Sequence, residues 1–172
     1  MRTSPYLQVP VEKLRVNGRI AAPSSFAKVA LALRDKHKAF TRDHPDVRTG
    51  YKSIHTALYY SYLAQSHLDW GVIETMMGGR FDFTNVLCPE LSVITNIDYD
   101  HVPALGTTLA EIAWHKAGII KRGKPAITGE LKPEALDVIR REAEDKGSRL
   151  YCQGRDFDWE WVSLDDTGAT IH

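Results

Sequence analysis

Two side chains in this sequence combine the chemistry of a metal and phosphate site with a telling position: Glu74 and His101. Glu74 closes the short apolar run Trp70-Gly71-Val72-Ile73, and His101 follows the apolar run Leu91 to Ile97 by a few residues. In an open parallel sheet, ligands bind beyond the carboxyl ends of the strands. Two such runs lying as neighbours bring a carboxylate and an imidazole to one edge. An oxygen-rich site with one imidazole and phosphate partners suits Mg²⁺ or Mn²⁺ better than zinc. Each residue also has a plain structural reading. A glutamate at a strand end is usually a solvated carboxylate, His101 a turn residue, Lys116 a surface lysine and Gly78-Gly79 a turn signal.

The elements that must position these residues follow from pattern. Val11 to Val16 reads as a strand closed by the turn Asn17-Gly18. Ser24 or Ser25 is expected to cap a helix running to about His37, with Phe26, Val29, Ala30 and Leu33 on one face. Arg42 to Thr49 reads as a loop, and Ile54 to His67 as a second helix. After the glycine-containing loop Met76 to Asn85, Leu91 to Ile97 has the composition of a buried strand. Thr108-Leu109-Ala110-Glu111 has capping-box form and opens a helix toward Ala117, with Gly118 as its stop. Pro125 to Thr128 is a strand, and Pro133 starts a helix, Glu134 to Lys146, that Gly147 ends. Arg149 to Cys152 is a further strand, and Phe157 to Ile171 a hairpin around Asp165-Asp166-Thr167-Gly168. Strands alternating with helices predict an α/β fold, a doubly wound and mostly parallel sheet covered on both faces.

Composition bounds the function. With 172 residues the chain has room for one domain and hardly for two. Its 22 basic and 22 acidic residues cancel, so no global field draws nucleic acid or an anionic membrane. No apolar run approaches a membrane span, and the start, Met1-Arg2-Thr3-Ser4-Pro5, has no apolar signal-peptide core. Cys88 and Cys152 lack metal-ligand spacing and read as two reduced core thiols, which fits the cytoplasm.

Several motifs in order resemble the folylpolyglutamate/dihydrofolate synthases, amide ligases of the Mur type. Glu74-Thr75-Met76-Met77-Gly78-Gly79-Arg80-Phe81-Asp82-Phe83-Thr84-Asn85 resembles their Glu-x-Gly-x-Gly-Gly-Arg-Leu-Asp-Ala-Thr-Asn motif. Val93 to Gly106 is similar to the next stretch, a strand followed by Asp-His and Leu-Gly. Glu111 to Lys121 matches the stretch that carries the family's modified lysine, Lys124-Pro125-Ala126-Ile127 and Gly129 continue the match, and Thr3-Ser4-Pro5-Tyr6-Leu7 looks like an early Thr-Ser-Pro-His-Leu element.

The resemblance implies a Mur-ligase central domain, P-loop NTPase-like, ending in a β-hairpin. It implies Ser4, Glu74 and His101 as protein ligands of Mg²⁺, with ATP as phosphoryl donor and an acyl phosphate formed on the substrate carboxylate. It implies a carbamate on Lys116, an anion where an ammonium would repel the metal; forming it requires a neutral amine. Phe81, Asp82 and Phe83 match the pterin-contacting stretch, and Tyr51 lies where the family has an aromatic pterin-holding element. The implied substrates are a folate or dihydropteroate, L-glutamate and ATP.

Departures from the family's pattern carry their own expectations. No Gly-x-x-x-x-Gly-Lys-Ser/Thr phosphate loop occurs in the 172 residues, so no ATP phosphate-cradling residues are assigned. The chain reads as a single partial central domain over residues 1–172, without the phosphate-loop segment and the C-terminal ligase domain, and as inactive alone. Self-association or a complementing chain is expected from an exposed sheet edge. Gly50-Tyr51-Lys52-Ser53 aligns with the family's Thr-Tyr-Phe-Glu, Met76 replaces a glycine and Phe83 an alanine. These changes leave two further readings: a ligase with a non-folate acyl substrate, or a non-catalytic binding module derived from such a ligase.

Overall fold

The structure, a computed structural model, describes residues 1–3, 7–165 and 168–171. It divides into two compact units, Met1–Met76 with Asp82–Val86, and Met77–Phe81 with Leu87–His172.

In the first unit a small antiparallel hairpin joins β1 (Arg15–Val16) to β2 (Arg19–Ile20). Asn17 and Gly18, with φ of 49° and 77°, supply the two left-handed positions such a tight turn requires. The strand expected from Val11 starts later, because Pro10–Lys13 is a 3₁₀ turn. Pro10 has no N–H for a ladder. The Glu12 carboxylate meanwhile collects the N–H groups of Leu7, Gln8 and Val9 at 3.0, 3.1 and 2.7 Å.

Helix α1 (Pro23–Asp43) begins before Ser24 and Ser25, so neither caps it; Pro23 stands in the first turn, where a missing N–H costs nothing. It runs past His37 through good helix formers, so the expected loop is confined to the residues between Asp43 and Tyr51. Helix α2 (Tyr51–Ala64) also starts early, since Ser53 Oγ accepts the Gly50 N–H at 3.1 Å. Leu14, Ala21 and Tyr59 form the buried centre, with Val11, Phe26, Tyr62 and Leu63 against it. The run Trp70 to Ile73 makes no strand beyond one parallel bridge between Arg2 and Ile73, and Trp70 is 79% exposed.

The second unit is the α/β part. Strands β3 (Ser92–Ile94), β4 (Ala126–Thr128) and β5 (Leu150–Cys152) form a parallel sheet in that order. Helices α3 (Val102–Leu105), α4 (Leu109–Ala117) and α5 (Pro133–Asp145) connect them. Ile94 and Ala126 pack with Ala113 and Ala117 of α4 and Ala135, Ile139 and Ala143 of α5 in one core. Val93, on the other face of β3, is 54% exposed. The apolar run Leu91 to Ile97 is therefore only partly strand: Leu91 is 43% exposed, and Ile97 is buried beyond the strand end.

The capping box forms as expected. Thr108 Oγ accepts the Glu111 N–H at 3.2 Å, and the Glu111 carboxylate takes the N–H groups of Thr107 and Thr108. Strands β6 (Trp161–Asp165) and β7 (Gly168–Ile171) pair antiparallel as the expected hairpin, with the turn at Asp166-Thr167 outside the described residues. Among the described residues no helix is long and apolar enough to cross a membrane. Both cysteines are free, but only Cys152 is in the core; Cys88 is exposed.

Candidate functional site

Glu74 lies in the first unit, exposed, one residue past the Arg2–Ile73 bridge. Its backbone is held on both sides of the peptide. The Glu74 N–H donates to the Arg2 carbonyl at 3.0 Å, and the Arg2 guanidinium donates to the Glu74 carbonyl. Arg2 is itself 1% exposed and lies 5.9 Å from the Tyr59 ring centroid, so this grip is rigid. The pairing is parallel, so Thr3 and Glu74 leave the bridge in the same direction. Ser4, the third expected ligand, lies outside the described residues.

The Gly78-Gly79-Arg80 motif has a steric explanation within the second unit. Gly78 has φ of 65°, and a methyl there would stand 2.9 Å from Leu105 Cδ2. A methyl on Gly79 would meet the His115 and Lys116 carbonyl oxygens at 2.9 Å. The two glycines let this segment lie flat against the carboxyl end of α4, where the Arg80 N–H donates to the His115 carbonyl at 2.6 Å. The Arg80 guanidinium then donates to the Trp114 carbonyl, stacks 4.0 Å over the Trp114 ring, and pairs with Glu142 at 2.6 Å. A cation at a helix carboxyl terminus is favoured by the helix dipole. Gly118 belongs to the same lock, since a methyl on it would stand 2.4 Å from Arg80 Cβ. With φ of −59° it ends α4 in the right-handed region, so its value is closeness and not left-handed freedom.

Lys116 is half-buried on the last turn of α4, beside this lock. Phe81 continues from Arg80, 74% exposed, with its ring edge-on to Trp114 and His115 at 5.9 and 5.7 Å. Asp82 and Phe83 belong to the first unit. The Asp82 carboxylate accepts the N–H and hydroxyl of Thr84 and the N–H of Met76, so both its oxygens already shape the loop. The Tyr60 hydroxyl donates to the Thr84 carbonyl at 2.9 Å, and burial pushes that phenol up to about 12. Phe83 and Tyr51 are both about half exposed, and Tyr51 stacks on His55 with ring centres 3.9 Å apart.

His101 stands in the second unit, seven residues beyond β3, exposed, with φ of 52°. Its ring nitrogen lies 3.6 Å from the Asp100 carboxylate. Behind it, at the carboxyl end of the sheet, is a cluster that sequence reading passed over. Glu130 is buried and Lys132 reaches across to Asp98 at 3.2 Å. The Tyr99 N–H, and then Lys132, hold the Asp98 carboxyl below the usual carboxylate range. The signal was present in an acid that follows the end of β4 by two residues and precedes Pro133 by three, within reach of the backbone N–H groups of a tight connection.

A cleft of about 610 Å³ opens elsewhere in this unit, beside Leu105, Gly106, Trp114, Val138, Arg141 and Glu142. It holds none of the described metal, carbamate or pterin candidates, Glu74, His101, Lys116, Tyr51, Phe81, Asp82 and Phe83. Two of the three acids lining it are committed, Glu111 to the cap of α4 and Glu142 to Arg80 and to Lys146 at 2.5 Å; the third is Asp145.

The parallel sheet with its helices fits a Mur-ligase-like domain fragment, and comparison with known proteins narrows this. No family model matches the chain. Over 143 residues it is 42% identical to the dihydrofolate synthase/folylpolyglutamate synthase of Bacillus subtilis, an alignment covering 83% of this chain and 33% of that protein. It is 35% identical over 155 residues to the folylpolyglutamate synthase of Lacticaseibacillus casei, covering 90% of this chain and 36% of that one. A solved FPGS–AMPPCP complex superimposes with a TM-score of 0.90 at 31% identity, over 98% of this chain and 44% of that chain. An FPGS–AMPPCP–folate complex does so at 0.89, again with 31% identity, over 98% and 43%. By sequence and fold the chain belongs to the folylpolyglutamate/dihydrofolate synthases. It spans about a third of the length of the curated relatives it matches.

Proposed function

We propose that this chain is the central segment of an ATP- and Mg²⁺-dependent amide ligase that adds L-glutamate to a folate or dihydropteroate through an acyl phosphate. The observation that carries the reading is the likeness to an FPGS–AMPPCP–folate complex over 98% of the chain. The steric lock between Gly78-Gly79-Arg80 and the end of α4 supports it.

Ser4, Glu74 and His101 are the proposed Mg²⁺ ligands. A hydroxyl, a carboxylate and one imidazole leave positions for phosphate oxygens and suit a hard cation. Glu74 and His101 fit that donor set, being exposed side chains that follow a strand bridge by one residue and β3 by seven. Among the described residues no group of three or more His, Cys, Asp and Glu side chains gathers to hold a metal; the proposed set needs only one Glu and one His. When bound, the ion would neutralise phosphate charge during phosphoryl transfer. Lys116, proposed to carry a carbamate, would present two acceptor oxygens in place of an ammonium. Phe81, Phe83 and Tyr51 are the aromatic faces proposed for the pterin.

A second reading, a ligase with another acyl substrate, is favoured by one observation. Both Asp82 oxygens are already engaged by Met76 and Thr84, while Lys52 and Ser53 replace the family's aromatic and acid. Assaying ATP-dependent addition of glutamate to folate and dihydropteroate, by the polypeptide that contains this chain, separates the two. Turnover with either supports the first reading; turnover only with a non-pterin acid supports the second. The 172 residues alone, which contain no phosphate-loop motif, are expected to hydrolyse no more ATP than their Glu74→Ala variant. Strand β3 is an edge of the described sheet, so light scattering is expected to find self-association, and a clean monomer would remove that expectation.

A further inference from the structure

Glu130 lies two residues beyond the end of β4, the central strand of the sheet, and is 2% exposed. Three N–H donors converge on its two carboxylate oxygens. Oε1 takes those of Leu131 and Lys132 at 2.9 and 2.7 Å, and Oε2 takes that of Ile97. Lys132 Nζ donates in turn to the Ile97 carbonyl and to the Asp98 carboxylate. Ile97 is fully buried and lies beyond β3, so no strand ladder holds it. Both polar groups of its backbone are taken instead by the connection after β4. Four residues on, the His101 carbonyl accepts the N–H groups of Ala104 and Leu105 at 2.8 and 3.0 Å. The stretch from Ile97 to His101 is thus fastened at both ends.

We propose that Glu130, seconded by Lys132, is a positioning residue that fixes the backbone leading to His101 and so the direction of its imidazole. The proposal rests on reading His101 as a metal ligand. Holding the connection that leads into α5 occupies Oε1 alone; among the described residues Oε2 serves Ile97. Outer partners that orient a ligand are worth much of its affinity.

Glu130→Gln separates the two oxygens. Its amide oxygen can stay on Leu131 and Lys132, but the amide nitrogen then faces the Ile97 N–H, donor against donor. Lys132→Met, at a partly exposed side chain, removes the second tie without threatening the fold. Amide hydrogen exchange and Mn²⁺ broadening of the His101 ring signals are measured on the wild-type chain and both variants. The expected result is exchange at least about tenfold faster across 97–101, with α4 and α5 unchanged. His101 is then expected to need about 10- to 100-fold more Mn²⁺ for equal broadening. Unchanged exchange across 97–101 in both variants overturns the proposal, as does faster exchange with Mn²⁺ affinity intact. A wild-type His101 untouched by Mn²⁺ instead contradicts the metal reading, and the exchange data still judge the fastening.

Discussion

The two units hold their segments together by different means. In the second unit eleven residues form the buried core, five of them alanine, and glycines at 78, 79 and 118 bring backbone within contact distance of backbone or of the first atoms of a side chain. Among the described residues of the first unit the buried apolar cluster is three residues, and polar side chains do the fastening: Arg2 on Glu74, Tyr59 on the Pro10 carbonyl at 3.0 Å, Tyr60 on Thr84. Close packing punishes added or lost volume, whereas a frame of hydrogen bonds punishes a lost donor. Substitutions of equal size should therefore have unequal effects in the two units.

The largest effect is expected in the dense core. Ile112→Ala removes a fully buried side chain between α4 and the sheet and should cost about 2 to 5 kcal/mol, read by denaturant unfolding. Gly118→Ala should follow at roughly 1 to 3 kcal/mol, because the new methyl meets Arg80 Cβ at 2.4 Å and the helix end must shift. Because the methyl would also stand 2.6 Å from Arg80 Cα, the cost is expected to persist when the Arg80 side chain is shortened to alanine. Tyr59→Phe in the first unit should cost about 1 kcal/mol with hardly any change of volume. If a volume change there, such as Leu14→Ala, proved as costly as Ile112→Ala, the contrast would break.

A smaller effect is tied to pH. Burial alone would raise the Glu142 carboxyl, but Arg80 and Lys146 outweigh it and hold it below its ordinary value of 4.5. A depressed carboxyl contributes stability above its unfolded value, and that contribution fades as pH falls through the lower folded value. Glu142→Gln should therefore reduce stability at neutral pH and flatten its decline below about pH 4. The exposed Arg34–Asp35 pair is the lower bound, with Arg34→Ala expected within about 0.5 kcal/mol of wild type.

Local chemistry made much of this legible. Asn17-Gly18, the Thr108–Glu111 box, Pro133 and Gly147 each encode a boundary in adjacent residues, and each boundary fell where those residues required. Tertiary setting decided the rest. Pro10–Lys13 curls because a carboxylate two residues on captures three N–H groups, and α1 outlasts its apolar face because Lys38, Ala39 and Arg42 favour helix unaided. Arg80 was readable as a cation that holds its loop. Its partner Glu142 lies 62 residues away, and Glu130 reaches Ile97 across 33, distances at which no spacing rule applies.

The most direct test is the rate of ATP-dependent glutamate addition by the polypeptide containing this chain, compared with its Glu74→Ala, His101→Ala and double variants. A metal held by both side chains predicts a fall in kcat of about 100-fold or more for each, with the double variant hardly worse than either. Near wild-type turnover in either single variant, or losses that multiply in the double variant, would contradict it.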